Sequence, residues 1–177
     1  MVEATKVRQM TMRDDAEAVG SLRSRRSVVL RPEISGRITQ LNFSDGQRVR
    51  KGQLLVQLDD QLPRAQVQQS RAELSIARAN HKRNQELVAQ GFISQRSVDE
   101  SAANLEVAEA KLALAEATAQ RLRIVAPFDG IAGIRGVNVG DYLKDGADIV
   151  NVEDLDAVYV DFRLPERLQN KVKTGQT

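Results

Sequence analysis

The strongest constraint on this chain is an internal repeat that has been pulled apart. The stretches "PEISGRITQLNFSDGQRVRKGQLLVQLDD" (32–60) and "APFDGIAGIRGVNVGDYLKDGADIVNVED" (126–154) align end to end with one offset and no gap. Gly36 falls on Gly130, Gly46 on Gly140 and Gly52 on Gly146. Val56 meets Val150, Leu58 meets Val152 and Asp60 meets Asp154. A repeat of this kind implies two copies of one structural unit, and everything between them must fold as an insertion.

Each copy reads as short strands interrupted at glycines. "QLLVQL" places Leu54, Val56 and Leu58 on one face at the two-residue period of a strand, whereas "RITQLNF" alternates imperfectly through Ile38, Leu41 and Phe43. "SDG" and "KG" are turn signals, because glycine takes positive φ without a Cβ clash. A unit of three or four short strands cannot bury enough surface alone. Two copies related by a pseudo-twofold close a sandwich around Ile38, Leu41, Val49, Leu55, Val137, Leu143, Ile149 and Val152.

The insertion, residues 61–123, holds a single proline (Pro63) and a single glycine (Gly91) and is rich in Ala, Gln, Glu, Arg and Leu. Pro63 falls in a first helical turn, with Asp60 as the expected N-cap. Val98, Ser101, Leu105, Ala108, Leu112, Ala115, Ala119 and Leu122 recur at alternating steps of three and four, a coiled-coil seam. The first half carries the matching ladder Val67, Ser70, Leu74, Ala77, His81, Asn84 and Val88. Folding the chain at Gly91 pairs the ladders antiparallel, with Val88 opposite Val98 and Val67 opposite Ala119. Each helix is then on the order of 40 Å long. Ile76, Ala79, Val107 and Leu114 lie off the seam and either face a lateral partner or widen the hairpin's own apolar stripe.

The bend between the helices is "RNQELVAQGFIS" (83–94). Gly91 suits the left-handed position that ends a helix, and Ser94 suits an N-cap, with Ile93 and Val98 at the staple positions around it. Ser97 with Glu100 is a competing cap. Three residues exceed what a turn needs. Arg83 and Leu87 share a helix face beside the seam, and Phe92 is one of only six aromatics in the chain. An exposed Leu, an exposed Phe and an Arg at the end of a projection form a small contact patch.

Composition narrows the function. Lys and Arg number 26 against 24 Asp and Glu, and aromatics are 3% with no Trp, so no basic surface interleaved with stacking side chains points to nucleic acid. There is no cysteine and one histidine, His81, which leaves no thiolate metal site and no material for a His-dependent triad beyond a packing residue on the seam. No cofactor is expected. The paired carboxylates Asp59–Asp60 and Glu153–Asp154 stand at matching ends of the repeats, where caps and turns are needed, so an enzyme is not expected. Arg23, Arg25 and Arg26 read as a solvated basic turn. No apolar run approaches the ~20 residues of a membrane span.

The split Gly-turn repeat resembles the biotinyl/lipoyl carrier sandwich. Carriers display a modifiable lysine, usually beside Met, on a hairpin between the halves; here the helical insertion replaces that hairpin and no Met-Lys dipeptide occurs. A sandwich split this way resembles the periplasmic adaptors, or membrane fusion proteins of the HlyD-like family, that serve tripartite efflux pumps. The phrases "VVLRPEISGRI", "DGQRVRKGQLL" and "APFDGIAG" and the tip spacing of Arg83, Leu87 and Ser94 are similar to the adaptors of resistance-nodulation-division (RND) pumps.

The resemblance implies an α+β fold: a lipoyl/biotinyl-like β-sandwich split by a long antiparallel α-helical coiled-coil hairpin, plus part of a β-barrel domain. Residues 1–27 would belong to the barrel or membrane-proximal region, 28–60 and 124–155 to the two lipoyl-like half-motifs, 61–123 to the hairpin, and 156–177 to an incomplete barrel. In the barrel part, 157–162 read as a strand and a short helix begins at Pro165. The remaining barrel strands and a membrane anchor would lie outside the sequence, leaving flanks that are disordered or non-natively paired. The implied role is non-enzymatic and periplasmic. The adaptor would bridge an RND transporter of the inner membrane to an outer-membrane channel as a ring of copies, with Arg83, Leu87, Gly91, Phe92 and Ser94 at the channel end. An adaptor for a type I secretion or major-facilitator system, or a carrier domain, are the alternatives.

Overall fold

A computed structural model describes residues 6, 7, 9, 10, 17–164, 166 and 173–175. Among these residues eight strands and two α-helices follow one another: β1 (Gly20–Leu30), β2 (Gly36–Leu41), β3 (Arg48–Val49), β4 (Leu54–Leu58), α1 (Gln61–Ala89), α2 (Gln95–Gln120), β5 (Arg123–Val125), β6 (Gly130–Ala132), β7 (Tyr142–Leu143) and β8 (Val150–Phe162). The strands form two four-stranded sheets, ordered β1-β8-β6-β3 and β5-β4-β2-β7. Both contribute to one buried cluster that includes Ile38, Val49, Leu55, Leu58, Val137, Leu143, Ile149 and Val152. Leu41 is half-buried against its edge.

The repeat survives as symmetry of the backbone. Gly46 and Gly140 have φ of 74° and 97°, and Gly52 and Gly146 have 81° and 74°. Their amides bond across to the other copy in matched fashion. Gly46 N–H donates to Ala132 O at 2.9 Å, and Gly140 N–H to Ile38 O at 2.9 Å. Gly52 N–H donates to Ala126 O at 2.8 Å, and Gly146 N–H to Pro32 O at 3.0 Å. The strand pairs Gly36–Leu143 and Val49–Gly130 are related in the same way. Each copy therefore completes the other's sheet: β3 of the first joins the β6–β8 sheet, and β7 of the second joins the β2–β4 sheet.

Alternation along β2 and β4 breaks where the ladders slip. The register shifts between Ile38 and Gln40, and again between Leu54 and Val56. The extra residue at each bulge turns the faces over. Inward positions thus run Ile38 then Phe43 with Leu41 between, and Leu55, Val56, Gln57 and Leu58 are all buried while Leu54 is only half-buried. The simple face of Leu54, Val56 and Leu58 expected from the sequence is corrected accordingly. Gln57 is accommodated because its amide donates to Leu58 O and Leu122 O, at 2.8 and 3.4 Å.

The helices run antiparallel, tied by Arg71–Glu116 (3.1 Å), Glu73–Lys111 (3.5 Å) and Arg78–Glu109 (3.4 Å). These pairs define the register the ladders require. Every ladder residue on both helices is buried or half-buried. His81 is a seam residue: Ser101 Oγ donates to Val98 O, so it accepts from His81 Nδ1, at 2.9 Å. Ile76, Val107 and Leu114 are exposed, so they do not widen the stripe buried between the two helices. Beyond the two-sheet unit β1 and β8 continue as a ribbon, Gly20 opposite Phe162. Residues 155–162 are all exposed, and the expected strand 157–162 is the far end of the single strand β8. The expected helix from Pro165 falls mostly outside the described residues.

Candidate functional site at the helical turn

The turn between α1 and α2 closes by a reciprocal pair of backbone bonds. Gly91 N–H donates to Val88 O and Phe92 N–H to Leu87 O, each at 3.0 Å. With Gly91 at φ 77° this is a Schellman cap, in which only a residue free of a Cβ penalty fits the left-handed position. The cap draws Leu87, Gly91 and Phe92 into one bend, and α2 starts directly after Ser94.

Ser94 holds the N-cap position with extended backbone (φ −81°, ψ 157°), but its hydroxyl makes no cap bond to the helix. It lies 3.4 Å from Ser97 Oγ instead. The expected side-chain cap is therefore absent, and the competing start at Ser97 is not used. Asp60 likewise holds the N-cap of α1 without a side-chain cap bond. Its carboxylate pairs with Arg64 at 2.8 Å, while Asp59 accepts the Gln61 amide at 3.2 Å.

The residues singled out at the tip differ in exposure. Phe92 is 72% exposed. Arg83 is exposed and, among the described residues, makes no ion pair or side-chain hydrogen bond. Leu87 is half-buried rather than exposed, because it flanks Val88 at the margin of the seam. The outward surface near the bend is thus an aromatic ring, the edge of a leucine and, one helical turn before that leucine, a free guanidinium. No group of three or more His, Cys, Asp or Glu able to hold a metal occurs among the described residues. Nor is any described helix long and apolar enough to cross a membrane.

A second cluster escaped the sequence. The Arg23, Arg25 and Arg26 stretch lies in β1, not in a turn. Arg26 Nε and Nη2 both donate to Asp154 Oδ2, at 3.1 and 2.8 Å, and its guanidinium sits 4.7 Å from the centre of the Phe128 ring. Asp156 N–H donates to the other carboxylate oxygen at 3.2 Å. Asp154 is 3% exposed, and the Arg26 hydrogen bonds hold its carboxyl below the ordinary value against the opposing pull of burial. Arg26 and Asp154 are far apart in sequence, so only the paired flanks bring them together.

Comparison with known proteins bears on both ends of this geometry. A family model described as the RND MFP barrel-sandwich hybrid domain matches residues 26–154. An uncharacterized Haemophilus influenzae protein is 36% identical over 89% of this chain and 41% of its own length. The multidrug resistance protein MdtA of Proteus mirabilis is 31% identical over 85% of this chain and 40% of its own. The multidrug export protein AcrE of Escherichia coli is 30% identical over 90% of this chain and 46% of its own. The chain thus spans under half the length of these relatives. Among solved structures, a MacA–MexA chimera carrying the Pseudomonas aeruginosa MexA α-hairpin domain superposes with a TM-score of 0.79 at 28% identity, over 90% of this chain and 58% of the other. A repeat completed across two sheets, a helical pair inserted at its midpoint and a family model spanning both place the chain among the membrane fusion proteins of RND efflux systems.

Proposed function

We propose that this chain is the sandwich and hairpin portion of a non-enzymatic periplasmic adaptor. In this reading it links an inner-membrane RND transporter to an outer-membrane channel and docks the channel through the helical tip. The two-sheet unit is the lipoyl-like sandwich, residues 28–60 and 124–155, and the helical pair is a coiled-coil hairpin, residues 61–123. The flanks 1–27 and 156–177 lead to the barrel and membrane-proximal parts. A ring of copies would enclose the conduit and cover Ile76, Val107 and Leu114, and no cofactor or nucleic acid takes part.

The observation that carries this reading is the combination of free Arg83 and 72% exposed Phe92 at the far end of a long projection in a chain of this family. Neither side chain serves the turn, which closes through the backbone amides of Gly91 and Phe92 alone. In-line recognition by a polar helical tip would use the guanidinium as a charge-assisted donor, with Leu87 and Phe92 as the apolar margin. The carrier reading is weakened because β4 leads into α1 instead of a lysine-bearing hairpin.

The test is Arg83→Asp in the protein expressed from its own gene, read by crosslinked capture of the outer-membrane channel and by drug sensitivity of an efflux-deficient host. Capture should fall and sensitivity rise, with Arg83→Lys between the two. If Arg83→Asp leaves both unchanged, the tip is not the docking site.

A further inference from the structure

The bend by itself does not tie α1 to α2. Both bonds that close it, from Gly91 N–H to Val88 O and from Phe92 N–H to Leu87 O, return to α1. Among the described residues no backbone bond runs from α1 to α2. The cross-helix ion pairs do not reach the tip either. They join Arg71, Glu73 and Arg78 to Glu116, Lys111 and Glu109, all on the two-sheet side of His81. The seam positions nearest the tip are His81, Asn84 and Val88 on α1 and Val98, Ser101 and Leu105 on α2, half of them polar. Apolar contact has no preferred direction, so it would hold α1 only weakly against rotation about its own axis.

What crosses the seam here is a hydrogen-bonded network. His81 Nδ1 donates to Ser101 Oγ at 2.9 Å, and Ser101 Oγ in turn donates to Val98 O at 2.7 Å. Nε2 of the same ring is left to accept from Gln85 Nε2 at 3.0 Å. Asn84 Nδ2 donates to Ser97 O at 3.2 Å. Residues 81–85 of α1 are thereby tied to the first two turns of α2. No buried polar side-chain atom lacks a partner among the described residues, so the network is complete. Arg83 and Leu87 stand on these same turns of α1, Arg83 next to Asn84 and Leu87 three residues beyond it. A rotation of roughly 20° carries a side chain on a helix of radius about 5–6 Å through about 2 Å. That is more than a hydrogen bond tolerates.

We propose that His81 and Asn84 are positioning residues for the tip. Through Ser101 and Ser97 they fix the rotation of α1, and with it the direction in which Arg83 and Leu87 face a helical partner. This aiming serves a purpose only if the tip docks the channel, the reading on which it rests. A polar seam position costs stability and selects one arrangement of the helices. Stability and docking therefore part company at these two residues.

The experiment compares His81→Leu, Asn84→Leu and the double variant with Arg83→Asp, in the protein expressed from its own gene, by crosslinked capture of the outer-membrane channel. Capture should fall about fivefold in the double variant, the lower end of coupling between separate sites, while its thermal midpoint stays at or above the parent's. His81→Asn, which keeps a donor near the place of Nδ1, should recover most of the capture. This chain holds no cysteine, so Glu86→Cys and Ala103→Cys, both exposed, take one spin label on each helix. Their distance distribution should be narrow in the parent and broader in the double variant. Full capture by the double variant, where Arg83→Asp lowers it, overturns the positioning role. So does a loss of capture that comes only with a lowered midpoint, which would make the network a structural support. If Arg83→Asp leaves capture untouched, the docking reading fails by itself, and the distance distribution still decides: an unchanged width overturns the hold on α1, and a greater width sustains it.

Discussion

The pseudo-twofold supplies an internally controlled test of how tightly the sheets are packed: the same substitution at Gly130 and at its repeat partner Gly36. A Cβ at Gly130 would lie 2.5 Å from Glu153 O, 3.0 Å from Glu153 C and 3.2 Å from Val152 Cγ1. The first two are backbone atoms of β8, the neighbour of β6 in its sheet. To reach even the shortest tolerable contact, that carbonyl must withdraw by roughly 0.5 Å, which a close-packed interior resists. At Gly36 the nearest atoms are Leu58 Cβ at 3.3 Å and Leu58 Cδ1 at 3.4 Å, contacts tight enough to need only a slight displacement of Leu58. Gly130→Ala should therefore reach the upper end of overpacking costs, about 3 kcal/mol. Gly36→Ala should stay within about 1 kcal/mol of parent, since the loss of glycine's unfolded-state freedom offsets mild crowding. For a chain of this length, about 3 kcal/mol lowers the thermal midpoint by roughly 6–12 °C. Calorimetry of the two variants side by side reads the difference directly. Equal losses at the two positions, or a Gly130→Ala midpoint within a degree or two of parent, would refute the packing argument.

Gly91→Ala, at φ 77° with open space around it, should lose about 1 kcal/mol from backbone strain alone; exchange of the amides around the bend should quicken while those of β4 do not. Asp154 titrates below its ordinary 3.8 because Arg26 and then the Asp156 amide bond its charged form, with Arg25 adding attraction; the contribution is thus complete above 3.8 and is lost as pH falls through the lowered folded value. Thermal stability should accordingly fall more steeply in the parent than in Asp154→Asn as pH drops from about 4 to about 2; equal losses in the two proteins would contradict this. His81→Leu should raise the helical pair's midpoint by the equivalent of about 1 kcal/mol, because Ser101 keeps its bond to Val98 O while a polar seam position becomes apolar; a lowered midpoint would mean that the His81–Ser101 bond outweighs apolar burial.

What the sequence made legible was whatever is written in local periodicity. The paired glycines announced turns that do adopt positive φ, and the three-four ladders announced a seam whose residues are all withdrawn from solvent. The bulges at Thr39 and Leu55 blurred the strand pattern because a single extra residue reverses the faces. Leu87 read as exposed from its offset alone, but a leucine flanking a seam of small residues is half-covered by it. The ribbon was harder still. Its residues face solvent on both sides, so no alternation marks them, and β8 runs unbroken from the core into it. The Arg26–Asp154 pair depends on residues at opposite ends of the chain and has no local signature at all. At the tip, the turn was readable from Gly91, whereas the docking role rests on resemblance and on the absence, among the described residues, of an ion-pair or side-chain hydrogen-bond partner for Arg83.

The order of the strands has a further meaning. β4 and β5 are ladder neighbours, so α1 and α2 leave and return at one place; β8 and β1 are neighbours too, so the whole of 20–162 also begins and ends at one place. The chain is a set of nested excursions, one inside another, each opening and closing on a single pair of strands. Length added within an inner excursion does not disturb the outer one. A heptad inserted at matching points of α1 and α2 would extend the reach of the tip by about 10 Å and leave the two sheets as they are. Reach and anchorage are thereby separate variables in this architecture, free to be tuned one at a time.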